Sequence, residues 1–345
     1  MLDGIWLGLA MGAVPAFLEP PPIDESRIWR DHAAAERYEP AYLALAWGGV
    51  RPAVAERSPW PVKVLSIGHT IASYQGYAGV EPYFHHGLDI RADAGGPVRA
   101  ARGGKVVNIE NYVPGNPAYW EVAILDGEGY VWQYHHLLRS SIPAAIERAF
   151  STGVPIPDGE PLGTVYPWSV TTFGERYHHV HLNVVGAGKA YLNPFVFLDP
   201  LADRDDPFVE SVGLLVGGKP QTSAVVPAGT PYSLYAVVGD RILHRLFTVP
   251  PHRIRWRVGG QMPVLVWEFE SLPGGASISG HVHDFFVRGE TCGDYACRRS
   301  VVDLGFRTGF AGAVFPTTAG THSVSVHVED FEGNVADRGF QWEVR

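Results

Sequence analysis

The sequence predicts a mainly β protein built from antiparallel sheets. Glycine and proline are abundant, with 40 and 28 residues in a chain of 345, and both favour turns over helices. Short apolar runs alternate with Gly, Pro, Asp and Asn, which is the pattern of short strands joined by tight turns. A chain of this length is long for one domain, so we expect two β domains.

The composition excludes several classes of function. The formal net charge of −9 argues against nucleic acids and anionic surfaces as electrostatic partners. The chain is 46% hydrophobic and 18% charged, as expected for a globular protein. It contains no run of about twenty apolar residues, so we expect no transmembrane helix.

The N-terminal part of the sequence has two interpretations. The apolar stretch Ile5–Leu18 has the length of a signal-peptide core. However, Asp3 stands where a basic residue is expected, so an arm packed on the next domain, or a misassigned start, is an equally good interpretation. A short helix is predicted at about Ser26–Arg37. The predicted organisation is an N-terminal segment at 1–60, a first β domain at 61–205 and a second β domain at 206–345.

The first β domain is expected to contain seven strands and one helix. A turn at Asp126–Gly129 separates two apolar runs, which predicts a β-hairpin. The only helical pattern is Ile142–Phe150. The predicted strands are Val62–Ile67, Gly87–Ile90, Pro97–Ala101, Lys105–Glu110, Glu121–Leu125, Tyr130–His136 and Val180–Val185.

Two histidine motifs in this domain suggest a metal site. Residues four apart in a regular strand lie about 13 Å apart, so His85 and Asp89 can share one ion only if the chain bends, and Gly87 permits a bend. His179 and His181 are two apart in a strand and point to one face. Two imidazoles and one carboxylate with an open fourth position are typical of catalytic zinc.

Together with Tyr134-His135-His136-Leu137, these motifs resemble the lysostaphin-type zinc endopeptidases, which cut peptide cross-links of bacterial cell walls. The resemblance covers about residues 60 to 200 and rests on three separated motifs in matching order. It implies a curled antiparallel sheet around a cleft and a bound Zn²⁺. Carried over position by position, it implies zinc ligands at His85, Asp89 and His181 and unligated catalytic histidines at His136 and His179.

The histidines adjoining these positions, His86, His135 and His178, are interpreted as wall or packing residues whose replacement should cost little activity. At positions 135 and 136 the assignment of the catalytic histidine to His136 could be off by one residue, and this alternative stays open. No His-Glu-x-x-His motif is present. The proton acceptor and the oxyanion donor are therefore expected to be imidazoles, with a pKa near the working pH.

Two features depart from the family pattern. An insert, Ser140–Pro161, follows the second motif. The residues Arg176-Tyr177-His178 precede the last motif, where a small pair such as Gly-Pro is common. We expect both features at the substrate groove, where they would change the peptide preference.

The second β domain follows a charged linker at 201–209. The alternating strand Thr321–Val328 and the turn Asp330–Asn334 resemble an immunoglobulin-like sandwich of bacterial surface proteins. Another His-x-His, formed by His281 and His283, has no His-x-x-x-Asp partner and is interpreted as structural.

The only two cysteines, Cys292 and Cys297, lie in this second domain. Two thiols without further partners make a poor zinc site. Their spacing favours a disulfide over free thiols, and a disulfide would place the protein outside the reducing cytoplasm.

The sequence therefore predicts a zinc metalloendopeptidase that hydrolyses peptide cross-links of peptidoglycan in the periplasm, the cell wall or the medium. Two alternatives stay open. One is a non-hydrolytic wall-binding or regulatory protein that keeps the peptidase fold. The other is a peptidase of Gly-rich proteins such as elastin, which some relatives cut.

Overall fold

The computed structural model of the chain covers both predicted β domains. The stretch Ile5–Leu18 and most of the helix predicted at about Ser26–Arg37 lie outside the described residues. The described residues are 30–31, 34–35, 37–49, 57–76, 81–243, 246–272, 279–294, 297–306 and 315–345.

The structure is mainly β and its strands pair antiparallel, as predicted, except for one short parallel pair. Each of the seven predicted strands overlaps an observed one. The strands are β1 Ser66–His69, β2 Tyr74–Gln75, β3 Tyr83–Phe84, β4 Leu88–Arg91, β5 Pro97–Arg99, β6 Lys105–Asn111, β7 Trp120–Leu125, β8 Val131–His135, β9 Pro161–Thr164, β10 Thr171–Thr172, β11 Glu175–Arg176, β12 His179–Val185, β13 Tyr191–Leu192, β14 Phe208–Val216, β15 Lys219–Pro220, β16 Val225–Val226, β17 Tyr232–Gly239, β18 Arg253–Val258, β19 Val264–Glu268, β20 Ser271–Leu272, β21 Ser300–Asp303, β22 Gly320–Glu329 and β23 Val335–Val344.

Helices are few and short. Helix α1 spans Ala144–Thr152 and ends at Gly153, whose φ of +70° favours glycine. Helix α2 spans Val282–Phe285. No helix of the described residues is long and apolar enough to cross a membrane. The 3₁₀ helices are Ala41–Leu45, Arg139–Ser141, Ala187–Lys189, Pro194–Val196 and Ser279–His281.

The first half of the chain is organised around a sheet of order β1-β4-β12-β8-β7-β6. The predicted hairpin joins β7 to β8, where the Asp126 carboxylate accepts hydrogen bonds from the N–H groups of Glu128 and Tyr130, each at 2.9 Å. These bonds fix the turn, and the turn fixes the register of β8.

The two faces of this sheet differ because apolar and polar residues alternate along its central strands. On β12, Val180, Leu182 and Val184 point into a fully buried apolar core on one face. The intervening residues point to the opposite face, which carries the polar cleft. Helix α1 packs its Ile146 into the apolar core. The insert Ser140–Pro161 contributes no residue to the cleft, and its expected position at the substrate groove stays a prediction.

The second half of the chain forms two sheets, one of order β15-β14-β17-β21 and one of order β16-β23-β22-β18-β19. Side chains of both sheets share one apolar core, for example Leu214 of the first and Val326 of the second. Strands β22 and β23 form a hairpin whose turn is closed by Asp330 and Asn334, as predicted. The immunoglobulin-like identity of this sandwich stays a prediction.

The two halves are joined by a continuous core rather than by a linker alone. The ring of Phe84 stacks on Trp267 at 5.8 Å between ring centroids, and both belong to the apolar core of the sandwich. Strand β20 of the second half pairs with β13 and so adds a strand to the first sheet. The predicted boundary near residue 205 therefore divides the chain in sequence but not its core.

The predicted Cys292–Cys297 disulfide is not formed, and both residues are free cysteines. The backbone of Cys292 pairs with Arg299 instead of Cys297, so the two cysteines are not opposed across a strand pair. Burial, together with the nearby Cys292 thiol, raises the pKa of the Cys297 thiol to about 12. The pair therefore gives no support to a location outside the cytoplasm.

We predict that Trp267→Ala destabilises both halves of the chain together. Truncating a buried tryptophan removes about 3 to 5 kcal/mol of unfolding free energy, and Trp267 is 4% exposed in the shared core. Hydrogen exchange should become faster in β12 as well as in β18. Met262→Ala is the control, because that side chain is 84% exposed. Faster exchange confined to β18 would show that the halves unfold separately.

Candidate metal centre and cleft

Three side chains meet at the centre of the polar cleft. The Nε2 atom of His85 and the Nδ1 atom of His181 each lie 3.1 Å from the same oxygen, Oδ1 of Asp89. The three side chains are buried, and their potential ligand atoms lie within 4.8 Å of one another. Two imidazole nitrogens and one carboxylate oxygen that converge in this way can hold a metal ion.

Strand pairing brings these residues together across ninety residues of sequence. Asp89 on β4 lies directly opposite His181 on β12, so the two side chains project to the same face. Gly87 immediately precedes β4, and a Cβ there would collide with Leu182 and Asn183 of β12. Gly87 is not among the glycines with positive φ. The structure therefore requires glycine here because a side chain would not fit against β12, and not because of the backbone conformation.

The hydrogen bonds behind the two imidazoles set their tautomers. The Nδ1 of His85 lies 3.2 Å from the carbonyl oxygen of Thr70, and the Nε2 of His181 lies 2.7 Å from Oδ1 of Asn183. Each of these nitrogens donates its proton to an oxygen acceptor. The lone pairs of the opposite nitrogens then face Asp89, as metal coordination requires.

Asp89 is oriented by Tyr177, whose hydroxyl donates to Oδ2 at 2.9 Å. The Tyr177 ring is in turn packed by the second half of the chain. Arg298 lies 5.2 Å above the ring and donates to the carbonyl oxygen of Gly68, and the Phe247 ring lies 5.8 Å away. The departure from the family pattern at Tyr177 therefore orients a candidate metal ligand, an effect that the sequence did not predict.

His136 and His179 lie side by side on the cleft wall, with ring centroids 4.7 Å apart. The Nδ1 of His136 is bonded to the carbonyl oxygen of Ala118 and the Nδ1 of His179 to that of Tyr177, both at 2.8 Å. Both Nε2 atoms are therefore proton acceptors in the neutral rings. The His179 Nε2 lies 3.8 Å from Oδ1 of Asp89, and Trp168 stacks on the His179 ring.

Burial governs protonation in this cluster. It lowers the pKa of His136 well below its usual range and that of His179 to about 4. The expectation of a pKa near the working pH for these two histidines is therefore wrong, because burial removes the water that would stabilise a positive charge on either ring. Burial alone would raise the pKa of Asp89, but the imidazoles of His85 and His179 and the hydrogen bond with His181 hold it well below its usual value.

The adjoining histidines divide into two kinds. His178 accepts a hydrogen bond from the N–H of Trp168, and His86 stacks on Tyr191, so both are packing or wall residues as interpreted. His135 is different, because its ring lines the cleft at 5.2 Å from the His181 ring. His136 has a φ of +64°, which breaks the strand alternation and lets two consecutive histidines face the cleft.

The cleft has a volume of about 540 Å³ including its open mouth. It is lined by six histidines, at 85, 86, 135, 136, 179 and 181, by Asp89 and by several tyrosines, and no lysine or arginine is among its described lining residues. The lining from the N-terminal segment is Ala35 and Tyr38, and the remaining residues are Gln75, Tyr83, Tyr112, Tyr119, Gln133, Asn183 and Tyr191.

Two further groups of potential ligands occur among the described residues, and their carboxylates have other partners. Glu268, near His252, is paired with Arg253. Asp330, near Asp203 and Asp240, accepts two hydrogen bonds from Asn334. His281 and His283 are in neither group, and His281 contacts Asp284 at 2.7 Å.

Comparison with known proteins agrees with the geometry. The model of Peptidase family M23 matches residues 83–194, the stretch that contains all five candidate site residues. No curated protein gives a significant match.

Several solved structures are similar to the chain. One is a protein assigned to peptidase M23 from Pseudomonas aeruginosa, at 25% identity over 51% of this chain and 63% of that one, with a TM-score of 0.29. Csd3 of Helicobacter pylori is 20% identical over 42% of this chain and 34% of its own, with a TM-score of 0.30. A protein assigned as the glycyl-glycine endopeptidase LytM from Ruminococcus gnavus is 22% identical over 40% of this chain and 60% of its own, with a TM-score of 0.25.

The chain thus spans less than two thirds of the length of the first of these structures. The family match and the strand-borne His and Asp residues lead to one conclusion: residues 83–194 form a domain of peptidase family M23, the lysostaphin-type peptidases.

Proposed function

We propose that the chain is a zinc-dependent endopeptidase that hydrolyses peptide cross-links of peptidoglycan. One observation carries the proposal: a candidate metal triad and two further histidines with proton-free Nε2 atoms lie on the wall of one cleft, within an M23 domain.

The donor set fits zinc. A tetrahedral zinc with ligands at about 2.0 to 2.1 Å holds neighbouring ligand atoms about 3.3 Å apart, close to the 3.1 Å from Asp89 to each imidazole. Burial lowers the pKa of His181, so this ring is neutral at neutral pH, as a ligand must be. His85, Asp89 and His181 would hold the ion.

The chain's own residues then supply the proton chemistry. When bound, zinc would polarise the scissile carbonyl and acidify a water molecule. The Nε2 of either His179 or His136 can accept a proton from that water, since both Nδ1 protons are engaged by backbone carbonyls. The ring that is then protonated can donate a hydrogen bond to the developing oxyanion.

A peptidoglycan substrate is supported by the family, and it implies that the protein works outside the cytoplasm. The alternatives of a non-hydrolytic wall-binding protein and of a peptidase of Gly-rich proteins make different predictions in the assays below.

We predict that the purified protein binds one zinc per chain and that His181→Ala abolishes this binding. The variant removes one of three ligands, and Asp89 and His85 alone cannot complete the site. Zinc content after dialysis is the measurement, and chelation should lower the melting temperature of the wild type but not that of His181→Ala. His281→Ala is the matched control. Full zinc content in His181→Ala would exclude the proposed ligand set.

We predict that Tyr177→Phe weakens zinc binding without removing it. The variant keeps the ring against Arg298 and Phe247 but leaves Oδ2 of Asp89 without its donor. The loss of such an orienting group costs about 10- to 100-fold in metal affinity, measurable by competition with a chromophoric chelator. Tyr130→Phe, a buried tyrosine outside the cleft, should bind zinc normally. An unchanged affinity in Tyr177→Phe would show that Asp89 needs no support.

We predict that His136→Ala and His179→Ala keep zinc and fold but lose about 10²- to 10⁴-fold in hydrolysis rate, the usual worth of a general acid or base. The assay is mass spectrometry of fragments released from purified peptidoglycan, with elastin as a parallel substrate. Cleavage of elastin alone would indicate the Gly-rich protein substrate. If the zinc-loaded wild type cleaves neither, the chain is a non-hydrolytic member of its family.

A further inference from the structure

His135 belongs to the same row of side chains as the candidate metal ligands. In the register of the sheet, Asp89 opposes His181, His181 opposes His135, and His135 opposes Glu121. Residues directly opposed in antiparallel strands project to one face. The row therefore continues the site sideways, from the candidate metal ligands towards β7.

The His135 imidazole is buried and has no hydrogen-bond partner among the described residues. It is 5% exposed, and both ring nitrogens are enclosed without a partner. Its nearest charged group is Glu121, with Oε2 at 3.4 Å from Nε2. Burying an unpaired polar group costs about 1 to 3 kcal/mol. A ligand that forms a hydrogen bond with this imidazole would remove that cost.

Glu121 determines which nitrogen can offer it. The carboxylate is fully buried, and its Oε1 accepts hydrogen bonds from Tyr42 at 2.5 Å and Asn108 at 2.6 Å. Its Oε2 faces His135. When Glu121 is ionised, the imidazole proton lies on Nε2 towards this carboxylate, so Nδ1 keeps its lone pair and accepts a hydrogen bond.

The surroundings of His135 favour a nitrogen donor as the ligand. The described lining of the cleft contains no lysine or arginine that could bind a carboxylate. Tyr38 connects Glu121 to the exposed Glu110, which adds negative charge at this end. Tyr112 packs edge-on against His135 at 4.6 Å between ring centroids and forms an apolar wall.

We propose that His135, oriented by Glu121, contacts the substrate at the β7 end of the cleft and accepts a hydrogen bond from a substrate nitrogen, either a backbone N–H or an amino group. This inference rests on the proposed peptidase function and extends it to a specificity-determining residue. His135 does not bind the metal, because it is absent from the group of converging ligand atoms.

The test compares zinc-loaded wild type with His135→Ala, His135→Asn and Glu121→Gln, and uses His281→Ala as the control. Loss of one hydrogen bond to substrate should lower kcat/KM for purified peptidoglycan about 5- to 50-fold in His135→Ala, mainly through KM. Zinc content should not change. His135→Asn should recover part of the loss, because its amide oxygen can accept the same bond. Glu121→Gln should fall between His135→Ala and wild type.

A chemical arm distinguishes the two donors. Acetylating the free amino groups of the peptidoglycan should slow the wild type but not His135→Ala if the donor is an amino group. Acetylation should affect both proteins equally if the donor is a backbone N–H.

Three results would overturn the inference: normal kcat/KM in His135→Ala, loss of zinc in that variant, or a lower kcat at unchanged KM. If His135→Ala does not fold, a kcat/KM of His135→Asn equal to wild type with full zinc, alongside an unaffected Glu121→Gln, counts against it.

Failure of the proposed function gives a different pattern. If the zinc-loaded wild type cleaves nothing, co-sedimentation with purified peptidoglycan decides. Weaker binding by His135→Ala than by wild type supports the contact, whereas equal binding, or no binding by the wild type, refutes it.

Discussion

The geometry of the cleft depends on one buried carboxylate. Asp89 is 5% exposed, and its two oxygens have separate tasks. Oδ1 lies 3.1 Å from the facing imidazole nitrogens of His85 and His181, and Oδ2 accepts a hydrogen bond from the Tyr177 hydroxyl. A buried anion without such partners would be very costly. The imidazoles, the tyrosine and the strands that carry them are therefore stabilised in one arrangement, and a metal ion would lie between the carboxylate and the lone pairs of the two imidazole nitrogens.

Much of the fold and of the triad could be predicted because the relevant signals are local. Strand alternation and turn residues located β7 and β8, and the spacing of His179 and His181 placed both on one face of β12. The alternation in β8 also holds the signal for His135, since Trp132 and Tyr134 point into the core and His135 therefore to the cleft. The sequence interpretation instead assigned the cleft position to His136 by family resemblance, and His136 reaches the cleft only through its positive φ.

Other features could not be predicted because they depend on contacts distant in sequence. Tyr177 supports Asp89 only because Phe247 and Arg298 pack on its ring. The buried Glu121 is tolerated because Tyr42, from the N-terminal segment, donates to it, and burial raises its pKa to about 7 although hydrogen bonds from Tyr42 and Asn108 oppose the rise. The cysteine pair is a different case, because the contact that the spacing missed is local: the backbone of Cys292 pairs with Arg299.

The shared core has a consequence for biosynthesis. A ribosome releases the M23 domain first, but the residues that hold Tyr177 and strand β20 follow roughly 50 to 100 residues later, about 3 to 20 s at usual elongation rates. Until Phe247 and Arg298 are in place, Asp89 lacks its oriented hydroxyl and the first sheet lacks its added strand. A nascent chain of that length therefore has the candidate metal ligands without the contacts that orient Asp89.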